Sequence, residues 1–410
     1  MKIVVGSDFH KRKGFVFMKI VVGSDFHIGN KRLSHDNFLL NVETYLYPEL
    51  RDCDVFIIAG DFFDRMLKLD EKATHVAVKV INDILEIGQI NKMAIRVLRG
   101  TFTHDKNQNE LFWTLAEGMD IDLDYISSLS ISTIKKEMRL KVLYIPDNLV
   151  YQSSSDCIAA VKELLRNANW DKVDFVVGHG YFQHVLPKNI PHEPKCTFRV
   201  DQFNDIVKYY ILMGHVHTPS KYANCYYCGS FERLAHGEEE NKGFLTLTYD
   251  KDTDNWFVKR IWNLDTTPFF TIYLSDAKSY EENCKILVSE VERKFTPKLW
   301  GYLRIKCDDT DLRQRLESFA MNKWCNQLYI SSISSKQEQL KEKYIPYELE
   351  FETSTLVEPT LDNICELTFS HLANCGKTNG LTLETITTYM GELIEQVHSN
   401  VPQTSTNTSN

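Results

Sequence analysis

No stretch of this chain approaches the roughly 18 consecutive apolar residues that a membrane-spanning helix needs, so none is expected. The first apolar run is already over at Gly6-Ser7-Asp8. That is shorter than the roughly seven residues of a secretory signal core. Of ten cysteines only Cys225 and Cys228 form a CxxC. A structural zinc takes about four ligands, and without a second pair these two read as thiols at a strand edge. A reducing, cytoplasmic compartment with no membrane contact is the expectation. An excess of positive charge is lacking too. Lys+Arg number 47 against 56 Asp+Glu, a net charge of −9. That balance argues against a protein that holds nucleic acid by bulk charge alone. It leaves room for a local basic groove, or for carboxylates offset by bound cations.

The 410 residues exceed what one compact core usually takes, so two domains and an appendage are expected. Up to residue 220, short apolar runs alternate with helical periods. The expected strands are Lys19–Gly23, Val55–Ala59, Ile95–Leu98, Lys141–Ile145, Asp174–Val177 and Tyr209–Met213. Helical periods lie between them at Phe38–Tyr47, Ala73–Ile87 and Ile158–Leu165. Strand and helix in alternation predict an α/β layered domain. After Tyr226 the pattern becomes hairpin-like, with a turn signal at Asp254-Asn255. Beyond Pro268 a smaller α+β unit is expected, with a helix near Tyr280–Phe295.

The polar clusters that end the strands carry the chemistry: GSDFH, AGDFFD, RGTFTHD, VGHG and MGHVH. Ligands of α/β sheets gather at the carboxyl ends of strands, so these five should converge. Their acids and imidazoles are Asp25, His27, Asp61, Asp64, His104, Asp105, His179, His215 and His217. Carboxylate oxygen and imidazole nitrogen suit manganese, iron or zinc. Residues at i and i+2 of an extended segment share a face. Asp25 with His27, and His215 with His217, are therefore expected to present paired ligands. The second pair has another reading, in which a turn splits it between two ions. Taken singly, each motif reads as well as a strand end or a helix cap. Five in order, each at a strand end, point to a two-metal centre.

The ordered motifs resemble the calcineurin-like metallophosphoesterases. Within that family the stretch YCGSFERLAHGEEENKGF (Tyr227–Phe244), directly after GHVHTP, is similar to the SbcD-like DNA-repair nucleases, in the style of a phage-encoded subunit. The motifs cover about residues 18–265; the C-terminal third resembles the family only by architecture. The resemblance implies an α/β four-layer sandwich, two β-sheets flanked by helices, over 18–265. It further implies a small capping domain over 266–345 and a linker with partner-binding helices over 346–400. The polar stretch 401–410 reads as a disordered tail.

Carried over residue by residue, the family pattern gives one ion to Asp25, His27 and His217. It gives the other to His179, His215 and the residue before the His-Asp pair, with Asp61 bridging. Two ions about 3.5–4 Å apart need a shared anionic ligand to clamp a phosphodiester and activate water. Where the family has Gly-Asn-His-Asp, this chain has Gly100-Thr-Phe-Thr-His104-Asp105, which puts Thr103 at the asparagine position. Its neutral oxygen has a shorter reach, so a looser site completed by water is expected. The sequence leaves open whether Thr103 ligates. The resemblance makes His104 the acid for the leaving oxygen. Asp64 is the carboxylate expected to hold it; otherwise Asp64 caps the helix that follows.

The implied activity is a manganese-dependent DNA exonuclease or endonuclease for repair, recombination or replication, in the host cytoplasm if phage-encoded. Its implied partners are DNA and a coiled-coil ATPase subunit, and a homodimer is compatible. Two rivals stand beside it: a phosphatase or nucleotide hydrolase of the same fold, and a structural subunit with impaired catalysis. Lys31, Arg32, Lys188, Lys195 and Arg199 flank the ligand loops and read either as phosphate contacts or as ordinary surface. Arg233 and Glu238–Glu240 read as a solvated charge run or as support for the active-site loops. Leu383, Ile386, Met390, Leu393 and Val397 form a seam on one helical face, for the ATPase or for the chain's own domain. Finally, Met1–His10 recurs unchanged as Met18–His27. Only the second copy runs into a glycine turn and a helix. Met18–His27 is therefore the expected functional strand, and residues 1–17 an appendage.

Overall fold

Val55–Ala59 reads VFIIA, and all five residues are buried. A strand apolar at every position has both faces covered. Here it is central in a six-stranded sheet. Strands β1 (Lys19–Gly23), β2 (Val55–Ala59), β3 (Ala94–Leu98) and β4 (Asp122–Ile126) run parallel. β11 (Lys242–Asp250) pairs antiparallel with β1, and β12 (Asn255–Asn263) with β11. A second sheet has the order β5-β6-β7-β8-β10-β9. Its strands are β5 (Ser130–Lys135), β6 (Arg139–Ile145), β7 (Val173–His179), β8 (Val207–Gly214), β9 (Ser220–Tyr222) and β10 (Cys225–Tyr227). This computed structural model describes residues 18–136, 138–147, 151–186, 194, 196–295 and 300–334. The appendage 1–17, the helices and seam within 346–400, the tail 401–410, and Lys188 and Lys195 lie outside the described residues.

The helices of this part are α1 (His35–Asn41), α2 (Tyr47–Leu50), α3 (Lys72–Asn91), α4 (Phe102–Asp105), α5 (Leu111–Leu115) and α6 (Ser154–Asn167). Three apolar clusters define the layers. Val22, Ile57 and Leu98 of the first sheet meet Val142, Phe175, Val177 and Leu212 of the second. The opposite face of the first sheet, with Val21, Phe56 and Ile95, packs on Phe38, Val76, Val80 and Ile84. The opposite face of the second, with Leu143, Val176 and Ile211, packs on Cys157, Val161 and Leu165 of α6. Two mixed sheets flanked by helices are thus the observed α/β architecture. Among the described residues no helix is long and apolar enough to cross a membrane. Cys225 and Cys228 are buried free thiols.

The segment after Pro268 differs from the expected α+β unit. Strands β13 (Phe269–Tyr273), β14 (Gly301–Lys306) and β15 (Leu328–Ile333) are all parallel, joined through α7 (Tyr280–Lys294) and α8 (Thr310–Trp324). Parallel neighbours require crossover connections, and α8 supplies the second. Its buried residues are Leu316, Ala320 and Trp324, with Leu312 and Phe319 half-buried beside them, a thin stripe in a polar sequence.

Glu232 is buried, and its Oε1 accepts from Asn41 Nδ2 at 2.6 Å and from Asn263 Nδ2 at 3.0 Å. Burial lifts its carboxyl from 4.5 to about 7, and the two amide donors offset only part of that. The folded protein therefore holds this proton more tightly than the unfolded chain. The stability it contributes is present below about pH 4.5 and lost as pH rises through about 7. At about 1.4 kcal/mol per pH unit the loss is about 3 kcal/mol. Chemical denaturation of wild type and Glu232→Gln should diverge across that window, with wild type losing ground as pH rises. Parallel pH profiles would contradict it.

Candidate metal centre

The loops after β1 and β2 bond to each other. Asp25 N donates to Gly60 O at 3.1 Å, His27 N to Asp61 O at 3.1 Å, and Ile28 N to Phe62 O at 3.0 Å. Asp25, His27, Asp61 and His215 have φ of 53°, 47°, 50° and 85°. The left-handed region is uncommon for such residues and costs on the order of 1–3 kcal/mol each. Asp25 and His27 therefore meet through a tight turn and not along an extended strand as the sequence suggested; β1 has already ended at Gly23. Two glycines let the loops close. At Gly60 (φ 89°) a Cβ would collide with the His179 ring, and at Gly214 with Ser24 Oγ and Ala59 O.

Three groups of three result among the described residues: Asp25 with His27 and His217, Asp61 with His179 and His215, and His27 with Asp64 and His104; the first two divide the predicted ligands between them. The histidines of GHVH are split between the groups by the turn at His215. Asp61 Oδ2 lies between the groups, 3.1 Å from His179 Nε2 and 3.8 Å from His27 Nε2. His27 Nε2 and His217 Nε2 face each other at 3.0 Å. Their Nδ1 atoms face carboxylates, His27 to Asp64 Oδ1 at 3.2 Å and His217 to Glu238 Oε1 at 3.0 Å. The His27–Asp64 contact lies outside good hydrogen-bond angles, so it acts as a charge contact. His179 Nδ1 donates to Ala59 O at 2.7 Å, which leaves its Nε2 facing Asp61 Oδ2 at 3.1 Å. Lone pairs brought face to face repel unless a proton or a cation lies between them. That donor set fits a divalent ion in each of the first two groups.

The ionisable groups are strongly coupled. Burial alone would raise the Asp61 carboxyl, but His179, then His27 and His104, hold it well below the usual range. Burial alone would lower His179; the Asp61 charge outweighs it and lifts the imidazole to about 10. His215 is held well below 6.5 by burial and by its neighbour His179.

Two sequence expectations need correction. Thr103 is exposed on α4. Thr101, two residues earlier, is buried, with Oγ1 3.2 Å from Asp61 Oδ2 and 3.4 Å from both His179 Nε2 and His215 Nδ1. Counting back from His-Asp misplaced the residue, because α4 inserts a helical turn between Gly100-Thr101 and His104-Asp105. Asp64 meets His104 through its backbone and not only as the carboxylate the sequence suggested. His104 Nδ1 meets the Asp64 backbone carbonyl at 2.6 Å, while the carboxylate faces His27 and accepts from Asn30 Nδ2 at 2.9 Å. His104 nonetheless stands at the centre, its ring 4.8 Å from His27 and nearly perpendicular to it.

Several residues support the centre, among them Asp105, read from the sequence as a candidate ligand, and Glu238, for which support of the loops was one of two readings. Asp105 is fully buried and accepts from the backbone of Gly100, Asp61 and Phe63 at 2.8–3.1 Å, and from Asn109 Nδ2 at 2.8 Å. Burial and the Asp61 charge raise it to about 6. Glu238 belongs to no solvated run. Lys242, with its side chain buried, sits 3.0 Å from the Glu238 carboxylate and donates to His217 O at 2.9 Å. Burial would raise Glu238, but His217 and Lys242 bring it down to about 2. The YCGSFER stretch braces the same loops. Tyr227 Oη donates to Gly180 O at 2.9 Å, Ser230 N to His217 O at 3.1 Å, and Phe231 N to Asp25 O at 3.3 Å.

No protein-family model matches the chain, and no curated protein does. One solved structure aligns over 60% of this chain and 100% of its own, at 11% identity and a TM-score of 0.32. That likeness is too slight to carry an argument.

Proposed function

We propose that the chain is a two-metal phosphodiesterase acting on DNA, a nuclease subunit of the SbcD-like kind that works with a coiled-coil ATPase. The observation that carries the reading is Asp61, one carboxylate reaching both groups of ligands. Asp25, His27 and His217 would hold one ion, and His179 and His215 the other, with Thr101 at its edge. Manganese suits this oxygen and nitrogen set. Bound ions of this kind supply Lewis acidity to a phosphoryl oxygen and a nucleophilic water at neutral pH.

The chain's own groups do the rest. The Asp64 carbonyl fixes the His104 ring through Nδ1, so in the imidazolium form the proton to be handed over sits on Nε2. That proton neutralises charge on the leaving oxygen. Glu238 and Lys242 hold His217, and Asp64 holds His27, so neither ring must reorganise when substrate arrives. The deciding experiment incubates labelled duplex DNA and, separately, a phosphomonoester with manganese. Cleavage of the DNA and little turnover of the monoester are expected; the reverse preference would make the chain a phosphatase.

Glu238→Gln tests the support directly. Loss of this outer carboxylate is expected to weaken manganese affinity by about 10–100-fold, read by isothermal titration. Unchanged affinity would show that Lys242 alone positions His217.

A further inference from the structure

The three-stranded sheet after Pro268 has one face covered by its helices, while the other is buried at Phe269 and Thr271 and open at Tyr273 and Tyr329. Phe270, Ile272, Leu303 and Ile305 pack on Leu287, Val291, Leu316 and Ala320 of the two helices. The alternate residues point the other way. Phe269, Tyr302 and Tyr329 share one register row, and Thr271, Arg304 and Ser331 the next. Phe269 and Tyr302 stack at 4.4 Å between ring centroids with planes 6° apart. Tyr302 and Tyr329 follow at 4.9 Å and 19°, and Trp300 closes on Tyr329 at 5.2 Å and 39°. The inner end of this ladder is buried. The outer end is not, Tyr329 being 55% and Trp300 45% exposed.

The inner end touches both loops that serve the candidate metal centre. Tyr302 Oη donates to the carbonyl of Arg32, in the loop that follows His27, at 3.2 Å. The His236 ring meets Phe269 edge-on at 5.4 Å, two residues before Glu238. The face is also cationic. Arg304 stands in this face's second row, and burial, then the charges of Arg304 and Arg32, hold the His236 imidazole down at about 3. Lys306 lies over the exposed Tyr273 ring at 4.8 Å. One acid, Glu239, faces the β13 edge, accepting from Thr271 N at 3.1 Å, with Lys294 3.5 Å away. In a chain of net charge −9, exposed rings beside arginines suit an anionic ligand with flat apolar faces.

We propose that this open face is a track for single-stranded nucleic acid leading to the metal centre. Unpaired bases stack on the Tyr329–Trp300 end of the ladder, and Arg304, Lys306 and Arg32 accompany the phosphates. The inference rests on the phosphodiesterase reading and adds the substrate form, a strand with unpaired bases. Stacking platforms beside cationic grooves bind single strands in this way, and every base has a face to offer. A protein docking on the same rings would use their area and not their π faces, which separates the two occupants.

The test is fluorescence anisotropy of a labelled oligodeoxythymidylate with the full chain in EDTA, where no hydrolysis intervenes. Tyr329→Ala and Trp300→Ala are each expected to weaken binding by about five- to hundred-fold. Tyr329→Phe should bind as wild type does, and Tyr329→Leu should behave as the alanine variant. Thermal melting of each variant checks folding. Equal binding by the leucine and phenylalanine variants, or no change in any variant, overturns the track. So does unchanged oligonucleotide binding with a shift in sedimentation mass, which would give the face to a second copy of the chain. Wild type is assayed alongside on bis(p-nitrophenyl) phosphate with manganese. Hydrolysis without ring-dependent binding overturns the track and leaves the phosphodiesterase reading. Ring-dependent binding without hydrolysis overturns that reading and leaves the track.

Discussion

Asp61→Asn is expected to release both ions and abolish hydrolysis of phosphodiesters. The residue is 2% exposed, and its Oδ2 lies 3.1 Å from His179 Nε2 in one group and 3.8 Å from His27 Nε2 in the other. Asparagine keeps the shape, including an oxygen for the Thr101 N–H that now donates to Oδ1 at 2.6 Å. It removes the negative charge that His179, His27 and His104 surround and that the proposed ions would share. The loss should exceed the 10–100-fold typical of an outer-shell carboxylate. Mass spectrometry of metal content reads it directly. Two ions retained per chain in the variant would remove Asp61 from the bridging role.

His104→Ala is expected to keep the metal and lose turnover by about 10²–10⁴, the range of a general acid. His27, Asp64 and His104 also lie close enough together to hold an ion as a third group. The two roles separate cleanly. Loss of manganese along with activity would make His104 a ligand; retained manganese with lost turnover makes it the acid. A substrate whose leaving group needs no proton should be affected far less.

Much of this was legible in the sequence because the buried strands are nearly continuous apolar runs. β1 and β2 fall where KIVVG and VFIIA placed them, and the polar clusters at strand ends converge. The second copy of the duplicated start supplies β1, Asp25 and His27. What escaped notice depended on geometry that residue order does not carry. Four site residues sit at positive φ, which a motif does not announce. Thr101 replaced Thr103 because a helical turn lies between Gly100 and His104. Asp64 faces His27 with its carboxylate and meets His104 Nδ1 with its backbone carbonyl. Glu238 shared its two readings, solvated run or loop support, with Glu239 and Glu240, and only the contacts to His217 and Lys242 single it out. α8 hid behind charged residues, and with it the parallel order of the last sheet.

The most direct measurement is anomalous diffraction from a crystal of the chain soaked in manganese. The account predicts two peaks, one among Asp25, His27 and His217 and one among His179 and His215, both in contact with Asp61. A single peak, or a peak held by His27, Asp64 and His104 in place of these, would contradict it.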